Sequence, residues 1–132
     1  MNSFLLNDFY TIEKLSNDAD ISTSSITIKA GIRLNASHAI FKGHFEQMPV
    51  MPGVCQTQLI KEVLQQVIQQ NLTLTKASNI KYTGMIVPTQ HPQFELELNY
   101  KLTESGTYNT DAKLFFETTI FMKFKGEFNI AV

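Results

Sequence analysis

The sequence predicts an α+β fold, one long helix laid against a curved antiparallel sheet, and three observations lead there. Residues 54–70 carry apolar side chains at helical spacing, with Ile60, Val63, Leu64, Val67 and Ile68 at i, i+3, i+4, i+7 and i+8. Residues 24–34 alternate with period two, Ile26, Ile28, Ala30, Ile32 and Leu34 on one face and Thr27, Lys29 and Arg33 on the other. After the helix, strand-like runs succeed one another with no second helical stretch. Strands without intervening helices pair antiparallel, and one helix on one curved sheet is the simplest way to bury both apolar faces.

In chain order, the 24–34 strand leads into residues 35–53. Gly43, Pro49, Pro52 and Gly53 make that segment an ordered loop rather than a regular element. Pro52 and Gly53 then open the helix, where a missing N–H costs little, and Asn71 is the expected stop. Residues 74–86 form the next strand. In the following one Phe94, Leu96, Leu98 and Tyr100 alternate with Glu95, Glu97 and Asn99. Residues 113–119 and 120–130 complete the set. Turn formers separate these runs at 88–92 and 104–106, and Lys125–Gly126 reads as a further turn. No repeat or linker divides the chain, so one domain over residues 1–132 is expected.

Composition excludes several classes. The net charge is −1, with no basic stripe for nucleic acid. One cysteine, Cys55, rules out an intrachain disulfide and suits a reducing compartment. No apolar run approaches the roughly 18 residues of a membrane span, and residues 1–10 do not read as a signal peptide. A soluble cytoplasmic protein that binds neither nucleic acid nor membrane is the expectation.

Chemistry concentrates in residues 38–58, which run His38-Ala39-Ile40-Phe41-Lys42-Gly43-His44-Phe45-Glu46-Gln47-Met48-Pro49-Val50-Met51-Pro52-Gly53-Val54-Cys55-Gln56-Thr57-Gln58. A histidine stands between Gly43 and Phe45, a Met-Pro-Gly turn follows, and then the helix begins. Gly43 lets a backbone or ligand approach closely. The helix start offers unpaired N–H groups and a positive dipole end, suited to a polarised carbonyl oxygen.

This segment resembles the active-site stretch of the hot-dog-fold dehydratases that act on 3-hydroxyacyl groups of acyl carrier protein. The resemblance rests on Phe41, Gly43-His44-Phe45, Pro49-Val50-Met51-Pro52-Gly53 and the helix that follows. Farther on, Ile80-Lys81-Tyr82 is similar to the family's strand after the helix, and residues 106–124 stand where its last strands run. The family's N-terminal strand-and-turn motif is missing, so the resemblance covers roughly residues 25–130. It implies a hot-dog fold, a homodimer or higher homo-oligomer with sites shared between subunits, and no cofactor or metal. It further implies His44 as the base that takes the C2 proton and Gly53 as an N–H donor to the thioester carbonyl. Val54 and Phe45 become substrate contacts, and position 58 the place of a carboxylate that handles the departing hydroxyl.

Position 58 is Gln58, which departs from that pattern. Imidazole suits the base, its pKa being near neutral. A glutamine amide can hold a hydroxyl but has no titratable proton to give. Either His44 returns the C2 proton to the hydroxyl while Gln58 orients it, or turnover is weak or absent. Glu62, one turn on, is a candidate substitute, about 6 Å farther along the axis. Gln58 lies nearly opposite the Ile60/Val63/Val67 stripe, beside Cys55 and Glu62. That side is either a solvated face or the side that meets a partner subunit and substrate tunnel.

Other candidates read as structural. His38 and His44 are six residues apart, but no carboxylate or thiol stands at ligand spacing for a metal. His38 is taken as structural, His91 as exposed in its turn, Cys55 as a small buried thiol, and the C-terminal phenylalanines as core. The leading functional expectation is a dehydratase on 3-hydroxyacyl thioesters, carried by acyl carrier protein or coenzyme A, in fatty-acid or related lipid synthesis. The alternatives are a hot-dog thioesterase and an acyl-binding, non-catalytic subunit of a heterodimer.

Overall fold

The computed structural model describes residues 4–43 and 49–132. Its elements run β1 (Tyr10–Asp20), β2 (Ser25–Leu34), α1 (Ala39–Gly43), α2 (Gly53–Ile68), β3 (Leu72–Tyr82), β4 (Gln93–Leu102), β5 (Thr107–Phe116) and β6 (Thr119–Ile130). The strands form one sheet in the order β1-β2-β4-β5-β6-β3, every neighbouring pair antiparallel. The sheet is open, with β1 and β3 at its edges. This is the hot-dog fold.

Period-two alternation decides which face is core. Ile28, Ala30 and Ile32 of β2 stand opposite Leu98, Leu96 and Phe94 of β4, and Leu114, Met122, Phe124 and Phe128 extend that face through β5 and β6. Leu59, Ile60, Val63 and Leu64 of α2 are fully buried and join the same cluster. Burying side chains of this size is worth about 1.5–3 kcal/mol each. Phe121, Phe124 and Phe128 are core as expected, whereas Phe116 is 41% exposed.

Besides β5, which begins at Thr107 rather than at residue 113, the structure departs from the sequence expectation at four places. The first is β1, which the pattern did not announce. Only Tyr10 of the strand is buried, because an edge strand held by ladder hydrogen bonds to β2 needs little apolar alternation. The second is α1, a single short helix inside the predicted loop. The third is the end of α2. The helix closes at Ile68, with Gln69 left-handed (φ 57°) and its N–H bonded to Gln65 O at 2.8 Å, so Asn71 is not the stop. The fourth is Lys125–Gly126, which lies inside β6 rather than in a turn. Gly126 faces Ala77 where β3 slips register, and a Cβ there would stand 2.6 Å from Lys76 O.

Helix α2 is buried on more than one side. Cys55, Gln56, Glu62 and Gln65 are buried along with the apolar stripe. The helix is therefore wrapped by the chain rather than laid flat on it, which is why its amphipathic signal is narrow.

Candidate active site

The start of α2 is built by its flanks. Buried Met51 donates its N–H to Ile86 O at 2.8 Å, tying the Met-Pro-Gly turn to the segment after β3. Pro52 is the N-cap (φ −61°, ψ 146°) and supplies no side-chain hydrogen bond. Its carbonyl accepts from the N–H groups of Cys55 and Gln56, while those of Gly53 and Val54 meet no described acceptor. Among the described residues, the helix thus presents two open donors at its positive end.

Gly53 leaves room for the Tyr82 ring. A Cβ at Gly53 would come within 2.5 Å of the Tyr82 hydroxyl and 2.7 Å of its ring. The end of β3 therefore places a half-exposed phenol directly over the helix start, with Val54 and Met85 exposed as well. The sequence reading quoted Tyr82 only as part of a strand and gave it no role.

One turn into α2, Gln58 is half-buried and donates its amide NH₂ to Glu62 Oε2 at 2.7 Å. Glu62 is completely buried. Its Oε2 also accepts from the N–H groups of Phe4 (2.9 Å) and Leu5 (3.1 Å). Its Oε1 accepts from Leu5 (3.3 Å), Leu6 (2.9 Å) and the Tyr10 hydroxyl (3.0 Å). Both carboxylate oxygens are thus fully occupied by donors, which offsets the cost of burying such a group. Glu62 cannot stand in for the missing carboxyl at position 58, because it is enclosed behind Gln58 and has no oxygen left to offer. This side of α2 is covered by residues 4–6 and is not a solvated face.

The same carboxylate shapes its neighbours. Burial first, then the Glu62 charge and the hydrogen bond to it, hold the Tyr10 phenol far above its ordinary range. Cys55 is a buried free thiol, pushed up by burial and then by Glu62, which is an inert setting rather than a nucleophile's. Nearby Gln56 is 3% exposed; its amide donates to Met51 O at 3.3 Å and its Oε1 has no partner among the described residues.

Of the expected site residues, Gly53, Val54 and Gln58 are brought to the first turns of one helix. His44 and Phe45 lie outside the described residues. His38 is structural: its Nε2 is 3.0 Å from Asp8, its Nδ1 accepts from the Ile40 N–H, and its ring meets Phe9 edge-on. His91 differs from expectation. It is half-buried, accepts from the Val87 N–H at 3.0 Å and packs edge-on to Phe121, holding the turn before β4.

A concavity of about 690 Å³ lies elsewhere, on the outer sheet face. It is lined by cross-strand pairs such as Lys113–Glu97 (3.6 Å) and Lys125–Asp111 (3.8 Å), a setting for solvated charge rather than an acyl chain. Among the described residues no helix is long and apolar enough to cross a membrane.

An open antiparallel sheet around one long helix, with uncapped donors after a Met-Pro-Gly turn, defines a hot-dog protein of the dehydratase and thioesterase type. Residues 20–118 match the ApeI-like family, described as ApeI dehydratase, and the chain belongs to that family. Among solved structures it is similar to an uncharacterised protein from Erwinia carotovora subsp. atroseptica. That match has 18% identity and TM-score 0.62, and covers 92% of each chain. It is also similar to a chain of the dehydratase heterocomplex ApeI:P from Xenorhabdus doucetiae, at 16% identity and TM-score 0.58, covering 88% of this chain and 98% of that one. A hypothetical thioesterase from Streptococcus pneumoniae matches at 12% identity and TM-score 0.50, covering 99% and 98%. At these identities the structural likenesses show the fold alone. No curated protein matches the sequence.

Proposed function

We propose that this chain is a hydro-lyase that removes water from 3-hydroxyacyl thioesters of acyl carrier protein, or of coenzyme A, in fatty-acid or related lipid synthesis. The observation that carries the reading is the uncapped start of α2 in a dehydratase-family chain, with Gly53 and Val54 offering open N–H groups and Gln58 one turn beyond. A thioester carbonyl accepting from those donors has its α-proton acidified, because the developing enolate oxygen is stabilised where charge appears; one such donor is worth about 10²–10³ in rate. In this reading His44 takes the C2 proton, the C3–O bond breaks, and the same proton leaves with the hydroxyl as water, giving the 2-enoyl thioester. Phe45 and Val54 contact the acyl thioester. The whole chain acts as one hot-dog domain, and two copies complete the acyl channel between them.

Incubation with 3-hydroxyacyl and 2-enoyl thioesters tests this. Interconversion of the two supports it, and release of free thiol would instead mark a thioesterase. Binding without turnover fits a second reading, a non-catalytic acyl-binding subunit paired with an active partner. Two observations favour that alternative enough to keep it: Gln58 has no proton to give, and a structural neighbour is one chain of a dehydratase heterocomplex.

A further inference from the structure

We infer that Glu62 is a positioning residue that fixes the Gln58 amide so that its carbonyl oxygen, and not its NH₂, meets the substrate's 3-hydroxyl. The inference rests on the dehydratase reading above and concerns the same site. An amide side chain has two ends of similar shape and opposite polarity, and either can be presented. Here the choice is made by the neighbour. Glu62 already takes three backbone N–H groups and a phenol O–H, so it is an acceptor on both oxygens. Only the NH₂ of Gln58 can face it, and does so at 2.7 Å. Gln58 Oε1 is left with no described donor, on a residue only half-buried. The N-terminal segment thereby enters the site's chemistry. Residues 4–6 hold Glu62, Glu62 holds the amide, and the amide offers an acceptor.

The polarity matters for the bond that breaks. A hydroxyl that donates its O–H to Gln58 Oε1 gains electron density on oxygen and keeps its lone pairs free for the proton returned by the base. A hydroxyl that accepted from an NH₂ would have a lone pair occupied and would be the poorer proton acceptor. Position 58 then selects the 3-hydroxyacyl form over the 2-enoyl form without being a general acid, since the enoyl chain has no O–H to donate.

The test compares binding and turnover of a 3-hydroxyacyl and a 2-enoyl thioester of equal length in the full chain, in Gln58→Met, in Glu62→Gln and in the double variant. Gln58→Met removes the acceptor with little change in shape, and Glu62→Gln frees the amide to turn. Each single variant is expected to weaken 3-hydroxyacyl binding by about 3- to 10-fold, the range of one hydrogen bond, and to leave enoyl binding unchanged. The double variant should be no worse than Gln58→Met alone, because the two act through one amide. Should Glu62→Gln fail to fold, Gln58→Met and the conservative Glu62→Asp carry the same comparison. Equal losses for both thioesters, or additive losses in the double variant, overturn the inference and leave the dehydratase reading standing. If the unaltered chain binds neither thioester, that reading falls and takes this inference with it.

Discussion

Replacing Gln58 by glutamate is the most informative single change, because the structure determines the state of the carboxyl it introduces. The amide nitrogen of Gln58 lies 2.7 Å from Glu62 Oε2. In Gln58→Glu an oxygen takes that place, opposite a carboxylate whose two oxygens are already held by Phe4, Leu5, Leu6 and Tyr10. Two carboxylates so close cannot both ionise freely. At an effective dielectric of about 20 and a separation of about 3 Å, their repulsion is roughly 5–6 kcal/mol, or about 4 pKa units. Position 58 is half-buried, so solvent screening and a swing of the introduced chain reduce this to about 2–3 units. The pair then holds one proton near neutral pH, as paired carboxylates do. Relative to the parent, the variant's stability is unimpaired below the unfolded carboxyl pKa of about 4.3. It is lost as pH rises toward the raised folded value, by about 3–4 kcal/mol when loss is complete. The held proton also supplies the missing general acid, so dehydration should rise by about 10²-fold or more and fall off above neutral pH. Urea unfolding at pH 4.5 and 8, with rates over pH 5–9, measures both. A stability difference that does not change with pH would show that position 58 does not face Glu62.

Three further outcomes follow from the same surroundings. Tyr10→Phe removes a 3.0 Å hydrogen bond to a buried carboxylate and should cost about 1.5–3 kcal/mol in urea unfolding. Because the folded Tyr10 phenol lies above its unfolded value, the parent should lose stability as pH rises past about 10, and the variant should lose that component of the alkaline sensitivity. Cys55, raised by burial and by Glu62, should alkylate far more slowly with iodoacetamide in the folded chain at pH 7.5 than in urea; equal rates would contradict its burial. Gly53→Ala must displace the Tyr82 hydroxyl. Since that ring is the free end of a half-exposed side chain, thioester binding should weaken while the unfolding midpoint moves little.

Periodicity made most of the fold legible. The runs around Ile28, Ile60, Leu96 and Phe124 are core because their spacing matches the element they form. It could not show β1, whose sequence carries one buried residue and is held by backbone pairing. The motif at 49–58 placed Gly53, Val54 and Gln58 on one helix start. What surrounds them was hidden, because it arrives from distant sequence. Tyr82 comes over Gly53 from the end of β3, and the N–H groups that satisfy Glu62 come from residues 56–58 positions away. Backbone donors leave no compositional mark. The available signal was an acid at i+4 from a glutamine, an acid with no Lys or Arg three or four residues away. His91 was misjudged for a related reason, since a Pro-flanked turn suggests exposure while its ring anchors that turn on Phe121.

Under the proposed dehydratase function, this chain abstracts the C2 proton of an acyl thioester whatever the fate of the hydroxyl. Mass spectrometry of a 3-hydroxyacyl thioester incubated with the protein in D₂O reads that step directly. Deuterium should enter at C2 with the parent chain and persist in Gln58→Met, and in His44→Ala its entry should fall to the rate of free solution. Incorporation in the parent no faster than without protein would contradict the account.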